Sequence, residues 1–320
     1  MSSTQLRRGG KRGWTVVAAA ITLLGAAAGC GDSPNAPALP GASGGEGYDA
    51  LIQSAPVAPT SLVDASPWAS KIRAQGNLRV GGTDAGPLFS IKSLDNGELT
   101  GFDAGLSQML ARYITGKSAV KDLTTLTITT VDTREALLQN SSIDAVFATY
   151  TITPPRAAKV DFAGPYYESG DAIMTKKDNT SINSVADLNG KTVVTEADST
   201  AALEIKKFAP NANLLLFQHD PECVAAVQQG RADAYVLDQG ILVSDASSNP
   251  AVKVVGQPFT HEPYGIGLPK QDPSAKQFVN AWLQTMFTSG QWAKLWKATL
   301  GTVVQGATPE PPKIGSVPGS

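Results

Sequence analysis

The chain has 320 residues, of which 42% are hydrophobic, and a formal net charge of −2. This length and composition suit a globular protein larger than one average domain. The nearly balanced charge excludes the basic footprint that nucleic-acid binding requires. Two histidines and two cysteines leave few ligands for a metal site.

The N-terminus has the pattern of an export signal. Four basic residues precede an apolar stretch over 14–28, whose length is typical of a signal peptide and too short to span a bilayer. The stretch ends in Ala27-Ala28-Gly29-Cys30, which resembles a lipobox, whose cysteine is lipidated and becomes the mature N-terminus. We predict a lipoprotein signal peptide over 1–29 and a lipid anchor on Cys30 at the outer face of the cytoplasmic membrane. A plain secretory signal is the alternative, and the export route, Sec or twin-arginine, stays open.

The segment that follows, 30–67, is rich in Gly, Pro, Ser and Ala and poor in large apolar residues. Such a composition cannot bury a core, so we predict a flexible tether. The C-terminal segment 305–320 is also rich in proline and is predicted to be a disordered tail.

Between these segments, patterns typical of strands and helices alternate, which predicts an α/β fold with parallel sheets. Cys223 lies in one of the helical patterns and is predicted to be a buried small hydrophobic residue. The predicted strands cover 78–81, 126–131, 143–150, 191–195, 214–217, 232–237 and 264–268, and the predicted helices cover 103–113, 133–139, 200–208, 221–229, 275–288 and 291–300.

The predicted strand over 143–150 ends in hydroxyl side chains and an arginine. Thr149, Thr151 and Thr153 alternate, so their side chains share one side of an extended chain. Arg156 follows Pro154-Pro155, past the carboxyl end of the strand, where open α/β sheets bind ligands. Because a guanidinium can bind a carboxylate through two parallel hydrogen bonds, the pattern predicts a carboxylate site. A surface arginine after an ordinary strand–turn–helix is the alternative.

This segment resembles the amino-acid-binding, family 3 solute-binding proteins of ABC importers. Those proteins have an apolar strand, then Thr-Ile-Thr-x-x-Arg, then Asp-Phe-Ser-x-x-Tyr-Tyr. The likeness covers about 76–300, and within the family 160–167 and 262–268 are most similar to actinobacterial glutamate- and glutamine-binding lipoproteins. The matching blocks, in chain order, are Gly101-Phe102-Asp103, Thr151-Ile152-Thr153 with Arg156, Asp161-Phe162, Tyr166-Tyr167, 187–191, 230–234 with Asp238, and 264–268.

The resemblance implies a fold of the periplasmic-binding-protein type II kind, with two α/β lobes and a two-crossing hinge. One lobe would hold 72–167 with 262–304 and the other 172–258, with crossings near 168–172 and 258–262. The ligand would bind between the lobes and be trapped by their closure. A monomer without cofactor or metal, acting with the transmembrane subunits of an ABC permease, is expected.

The resemblance also assigns the groups that would bind the backbone of an amino acid. Its carboxylate would contact Arg156 and the hydroxyl of Thr151. Its ammonium, which needs acceptors, would contact the Thr149 carbonyl and Asp238, whose alternative role is a helix N-cap. Ser199 and Thr200, at the start of a predicted helix, would cap the carboxylate from the second lobe. Asp198 stands where the family often has glycine and would repel the carboxylate if it pointed inward.

The sequence gives conflicting indications about the side chain of the ligand. Arg134 matches the arginine that reaches the distal carboxylate in glutamate and aspartate binders, the alternative being a solvated helix arginine. Asp84 and Phe89 would line the pocket wall. Glu196 stands where glutamine binders carry a lysine, and an acid facing the ligand would disfavour glutamate. We rank glutamate first, then glutamine or aspartate.

Two other functions fit the same fold. A binder that presents its closed form to a membrane receptor would be a sensor instead of an importer component. A dehydratase would need a general acid or base in the cleft, for which Glu196 is the candidate. We expect a binding protein and no enzyme.

Overall fold

A computed structural model describes residues 46–270, 272–304 and 306–320. The predicted signal peptide, Cys30 and the first part of the predicted tether, 30–45, lie outside the described residues. No described helix is long and apolar enough to cross a bilayer.

The first lobe is built on a five-stranded sheet in the order β5-β1-β6-β13-β7. Strands β1, β5 and β6 are parallel, whereas β13 pairs antiparallel with β6 and β7. A small antiparallel sheet of β2, β3 and β4 follows β1. The strands are β1 (Leu78–Gly82), β2 (Ala85–Gly86), β3 (Ser90–Lys92), β4 (Leu99–Thr100), β5 (Thr124–Ile128), β6 (Ala145–Val146), β7 (Asp161–Ser169) and β13 (Glu262–Leu268).

The helices of this lobe pack on its sheet and form the larger hydrophobic core. Nearly every residue of the 14-residue central helix α4 is buried. The helices are α1 (Glu46–Gln53), α2 (Thr60–Asp64), α3 (Pro67–Gln75), α4 (Phe102–Thr115), α5 (Arg134–Gln139), α6 (Pro154–Ala157), α10 (Pro273–Thr288) and α11 (Gln291–Ala298).

The second lobe has its own five-stranded sheet, in the order β10-β9-β11-β8-β12, and its own core. Cys223 is fully buried in that core, as predicted. The strands are β8 (Asp171–Lys176), β9 (Thr192–Glu196), β10 (Asn213–Phe217), β11 (Ala234–Asp238) and β12 (Val252–Val255), and the helices are α7 (Thr200–Phe208), α8 (Asp220–Gln228) and α9 (Gln239–Ser248).

Two extended crossings join the lobes, one between β7 and β8 and one between β12 and β13. β7 continues into β8 across Gly170, where a Cβ atom would lie 2.4 Å from the Thr260 carbonyl oxygen on the returning crossing. The Asp171 N–H donates to the Thr260 hydroxyl at 2.7 Å, and the Phe259 N–H donates to the Asp171 carbonyl at 2.9 Å. The two crossings therefore lie side by side, and the two-lobed α/β fold is confirmed.

The sheets are mixed, which corrects the expectation of parallel sheets. β7, β8 and β13 are the strands at the crossings, and each enters its sheet directly, without the crossover helix that a parallel strand needs. They pair antiparallel with their neighbours for that reason.

The structure differs from the prediction for the second part of the tether, 46–67. Helices α1 and α2 occupy most of it and pack on the first lobe, with Ile52 and Val63 almost completely buried. The Tyr48 hydroxyl donates to the Gly101 carbonyl at 3.0 Å. A few apolar residues at helical spacing anchor this segment although its overall composition is typical of a linker.

The C-terminal segment 306–320 also differs from the predicted disordered tail. The Gly315 N–H donates to the Gly164 carbonyl at 2.8 Å, and Ile314 and Val317 pack on the first lobe. Proline restricts the chain to extended conformations, and such a segment can lie along a surface without forming a helix or strand.

Candidate functional site

A cavity of about 290 Å³ lies between the lobes, at the ends of several strands. This is where ligands bind in open α/β sheets. The structure brings all nine predicted ligand-binding residues to its wall: Asp84, Phe89, Arg134, Thr149, Thr151, Arg156, Ser199, Thr200 and Asp238.

Arg156 is held at the mouth of the first lobe. Thr153 is the N-cap of α6, and its side-chain oxygen accepts the Arg156 N–H at 3.4 Å. The guanidinium donates to the Thr151 carbonyl at 3.0 Å and, across the cleft, to the Asp198 carbonyl at 3.5 Å. Burial lowers the pKa of Arg156, but an arginine remains charged. With five N–H donors, it keeps several for a ligand.

Arg134, the first residue of α5, is only 5% exposed, so the alternative of a solvated helix arginine is wrong. Its Cζ atom lies 3.7 Å from the centre of the Tyr150 ring, and that of Arg156 lies 5.3 Å from the same ring. A ring between two guanidinium groups offsets part of their repulsion through cation–π attraction. Burial, followed by the charge of Arg156, lowers the pKa of Arg134 to about 10.

The turn after β6 depends on a buried carboxylate. Thr149 has a φ of 45°, a left-handed conformation that costs energy for a β-branched residue. Its N–H donates to Asp103 Oδ2 at 2.7 Å, and the Tyr166 hydroxyl donates to Asp103 Oδ1 at 2.8 Å. Burial raises the pKa of Asp103 to about 6. Sequence reasoning found Asp103 only as part of a family block, since nothing local indicates that it holds a residue 46 positions away.

In the second lobe, the start of α7 faces the cleft. The Ser199 hydroxyl caps this helix: it accepts the Ala202 N–H at 3.1 Å and donates to the Glu196 carbonyl at 2.7 Å. The Ser199 hydroxyl proton is therefore already donated within the protein. Thr200, the first residue of α7, also lines the cavity. The side chain of Asp198 is exposed and does not line the cavity, so the repulsion that the sequence raised does not arise there.

Glu196 does line the cavity, together with Gln218, His219 and Asp220, which sequence reasoning missed. Asp220 accepts a hydrogen bond from the Tyr235 hydroxyl at 2.8 Å. Burial, with a contribution from Asp220, raises the pKa of Glu196 to about 8. The wall of the second lobe is therefore acidic, opposite the arginines of the first.

Asp238 ends β11 at the back of the cavity and is 6% exposed. It occupies the N-cap position of α9, but its side chain makes no capping hydrogen bond, and its Oδ1 atom has no partner among the described residues. The N-cap role is therefore absent, and the carboxylate oxygen is free to accept a donor.

Residues 78–302 match the model of a family described as bacterial extracellular solute-binding proteins, family 3. The chain belongs to this family. It is 36% identical over 214 residues to the ABC transporter glutamine-binding protein GlnH of Bacillus subtilis, a match that covers 66% of this chain and 76% of that protein. It is 32% identical over 245 residues to the glutamate-binding protein GluB of Corynebacterium efficiens, covering 73% of this chain and 83% of that protein.

Solved structures agree with this assignment. An ancestral arginine-binding protein bound to glutamine matches with a TM-score of 0.64 and 35% identity, over 71% of this chain and 98% of that one. The solute-binding family and the two-lobed fold expected from the sequence are both confirmed.

Proposed function

We propose that this protein is a lipid-anchored, extracytoplasmic receptor that captures a polar α-amino acid between its lobes and delivers it to an ABC permease. The observation that carries the proposal is the pair Arg156 and Asp238, one from each lobe, on the wall of one cavity. An α-amino acid carries a carboxylate and an ammonium, and these two side chains provide one partner for each.

The remaining polar groups of the cavity fit a carboxamide. Arg134 can donate to an amide carbonyl, while the acids Glu196 and Asp220 can accept from an amide NH₂. A second ligand carboxylate would add a negative charge beside those acids. We therefore place glutamine first and glutamate second, which reverses the order inferred from the sequence, with aspartate behind both. The relatives named above as glutamine- and glutamate-binding proteins support the same pair.

The binding reaction is tested by calorimetric titration with each of the twenty amino acids. We expect glutamine or glutamate to bind most tightly and to exclude the other amino acids at equal concentration. Failure of every α-amino acid to bind would contradict the proposal.

We infer that the cleft binds without catalysing a reaction. An ancestral amino-acid-binding protein described as a precursor of cyclohexadienyl dehydratase matches this chain with a TM-score of 0.65 and 35% identity. In that type of enzyme a carboxyl in the cleft would act as acid or base, and Glu196 has a pKa suited to it. We expect a bound amino acid to be recovered unchanged, and turnover of a cyclohexadienyl acid would contradict this inference.

The lipid anchor rests on the sequence around Cys30. We expect Cys30→Ala to release the protein from the membrane fraction and to abolish labelling with a fatty-acid probe, because a thiol is needed for the attachment. Cys223→Ala removes the only other cysteine and should leave both unchanged. Membrane retention of Cys30→Ala would contradict the anchor. Co-purification with permease subunits in mild detergent, instead of with a receptor, separates the importer from a sensor.

A further inference from the structure

Three carboxylates are buried together at the hinge, behind the proposed ammonium site. Asp171, Asp238 and Glu262 are 0%, 6% and 3% exposed. Asp171 and Asp238 are directly opposite each other in the antiparallel β8–β11 pair, where side chains approach to about 5 Å and like charges repel. Glu262 lies opposite Ser169, the last residue before the crossing.

The oxygens of this cluster are short of partners. Both carboxylate oxygens of Asp171, Oδ1 of Asp238 and Oε2 of Glu262 have no hydrogen-bond partner among the described residues. The Tyr264 hydroxyl, also fully buried, lies beside Asp238 without a hydrogen bond of normal geometry among the described residues. Keeping several buried like charges ionised without partners is costly, and protonation of Asp171 or Asp238 relieves that cost.

One cation faces the cluster from the packed elements. Arg156 faces Asp238 and Glu262 from the first lobe. His261 pairs with Glu168 at 2.8 Å, and its side chain is 73% exposed. The other titratable groups that interact with the cluster are the acids Glu196 and Glu204 and the phenols of Tyr166, Tyr167 and Tyr264. No group of three His, Cys, Asp or Glu side chains in the described part of the chain is arranged to hold a metal ion.

We propose that Glu262 is a positioning residue that acts through Asp238. Its negative charge favours a proton on Asp238, and Asp238 gives up this proton when the ligand's ammonium arrives. The proton leaves the carboxyl for solvent, and an N–H···O bond from the ammonium takes its place. This inference rests on the proposed function, since it requires an ammonium at Asp238. It adds that capture is coupled to release of a proton and depends on pH.

The direction of the pH dependence of affinity follows from the charge of Asp238 that the ligand's ammonium requires. Burial, followed by the charge of Glu262, raises the pKa of Asp238 to about 7, and burial, followed by Asp238, raises that of Asp171 to about 9. Only ionised Asp238 attracts an ammonium. Affinity is therefore weakest in acid, rises as the pH passes 7 and levels off once Asp238 is ionised. Since about 1% of Asp238 is ionised at pH 5, binding there should be up to about a hundredfold weaker than at pH 8.

The experiment is titration calorimetry with glutamine in buffers of different ionisation enthalpy, which counts the protons released. At pH 7 we expect release of about half a proton per ligand, from a group whose pKa is about 7. Glu262→Gln removes the like charge without changing size, and Glu262 does not line the cavity. This variant should release fewer protons at pH 7 and retain its affinity to lower pH. Glu168→Gln, a hinge carboxylate outside the cluster, is the matched control and should behave as wild type.

Three outcomes would overturn the inference. Wild-type binding of glutamine with no proton release at pH 7 is the first, and it needs no variant to fold. Identical release by Glu262→Gln and wild type is the second. Release that persists in Glu262→Gln but is lost in Glu196→Gln is the third, because it assigns the proton to the wall of the second lobe. In each case the amino acid still binds, whereas failure of the proposed function would show no binding at all.

Discussion

At the scale of single residues, Arg156 and Asp238 decide whether the cleft holds an amino acid. We expect Arg156→Ala and Asp238→Ala each to weaken binding of glutamine by at least about tenfold, because a hydrogen bond to a charged group contributes about 1.5–3 kcal/mol. Arg231→Ala is the matched control, since Arg231 is exposed on the second lobe beside Phe217. Titration calorimetry measures the loss, and circular dichroism checks the fold. Near-normal affinity in either cleft variant would remove that residue from the site.

Arg134 and Glu196 should decide which side chain is preferred. Arg134→Ala should cost glutamate more than glutamine, since only glutamate leaves a full charge without its partner. Glu196→Gln should have the opposite effect and narrow the preference for glutamine at pH 8 and above, because a carboxyl whose pKa is about 8 is at least about half ionised there and repels a ligand carboxylate. Affinities of both ligands for both variants are the measurement. Equal losses for the two ligands in each variant would show that neither residue reads the side chain.

The sequence identified the roles of residues that a family motif or a strand end marks, and it missed the roles of residues that act from a distance. Arg156 and Thr151 lie in one short motif, and the structure places both at the cavity. Asp103 and Tyr150 act through a tertiary hydrogen bond and through a ring between two cations, and neither leaves a local pattern. Glu262 lay within a recognised block, but its burial beside Asp238 depends on the two hinge crossings meeting, which spacing along the chain cannot show.

At the scale of elements, helix α1 occupies residues that the sequence analysis assigned to a flexible tether. Its apolar residues are few, and composition outweighed periodicity in the prediction of a tether. Strand β6 is also shorter than predicted, ending at Val146, because Thr149 turns the chain into the left-handed region. Long amphipathic elements such as α4 and α10 were predicted nearly to their ends, since a 14- or 16-residue helix carries several repeats of its pattern.

If α1 is part of the first lobe, truncating its core contact must destabilise the protein. Ile52 is fully buried, and Ile52→Ala should lower the free energy of unfolding by about 2–5 kcal/mol. Leu62→Ala, at a residue 38% exposed on α2, is the control and should change it by less than about 0.5 kcal/mol. Urea unfolding followed by tryptophan fluorescence measures both. If this segment were a flexible tether, neither substitution would change the free energy of unfolding.

At the scale of the whole molecule, the lobes touch across the cleft through α9. The Ser244 hydroxyl accepts the Leu88 N–H at 3.2 Å, and Gly240 lies against Phe89. A Cβ on Gly240 would be 2.9 Å from two atoms of the Phe89 ring, which is closer than atoms pack. The absence of a side chain at this position of α9 is what allows the lobes to approach this closely.

Gly240→Ala should therefore impair closure of the lobes without lowering the stability of the second lobe. Alanine favours a helix over glycine by about 0.5–1 kcal/mol, so the second lobe should unfold no more easily than before. Overpacking against Phe89 costs about 1–3 kcal/mol, which corresponds to roughly 5- to 150-fold weaker binding. Gly47→Ala is the matched control: it makes the same change in a helix where a Cβ would contact nothing within 4 Å, so affinity should not change.

Small-angle scattering with saturating glutamine should show Gly240→Ala more extended than wild type, since the ligand then binds without drawing the lobes fully together. Wild-type affinity and wild-type compaction in Gly240→Ala would mean that the Phe89 ring moves aside and that this contact does not limit closure.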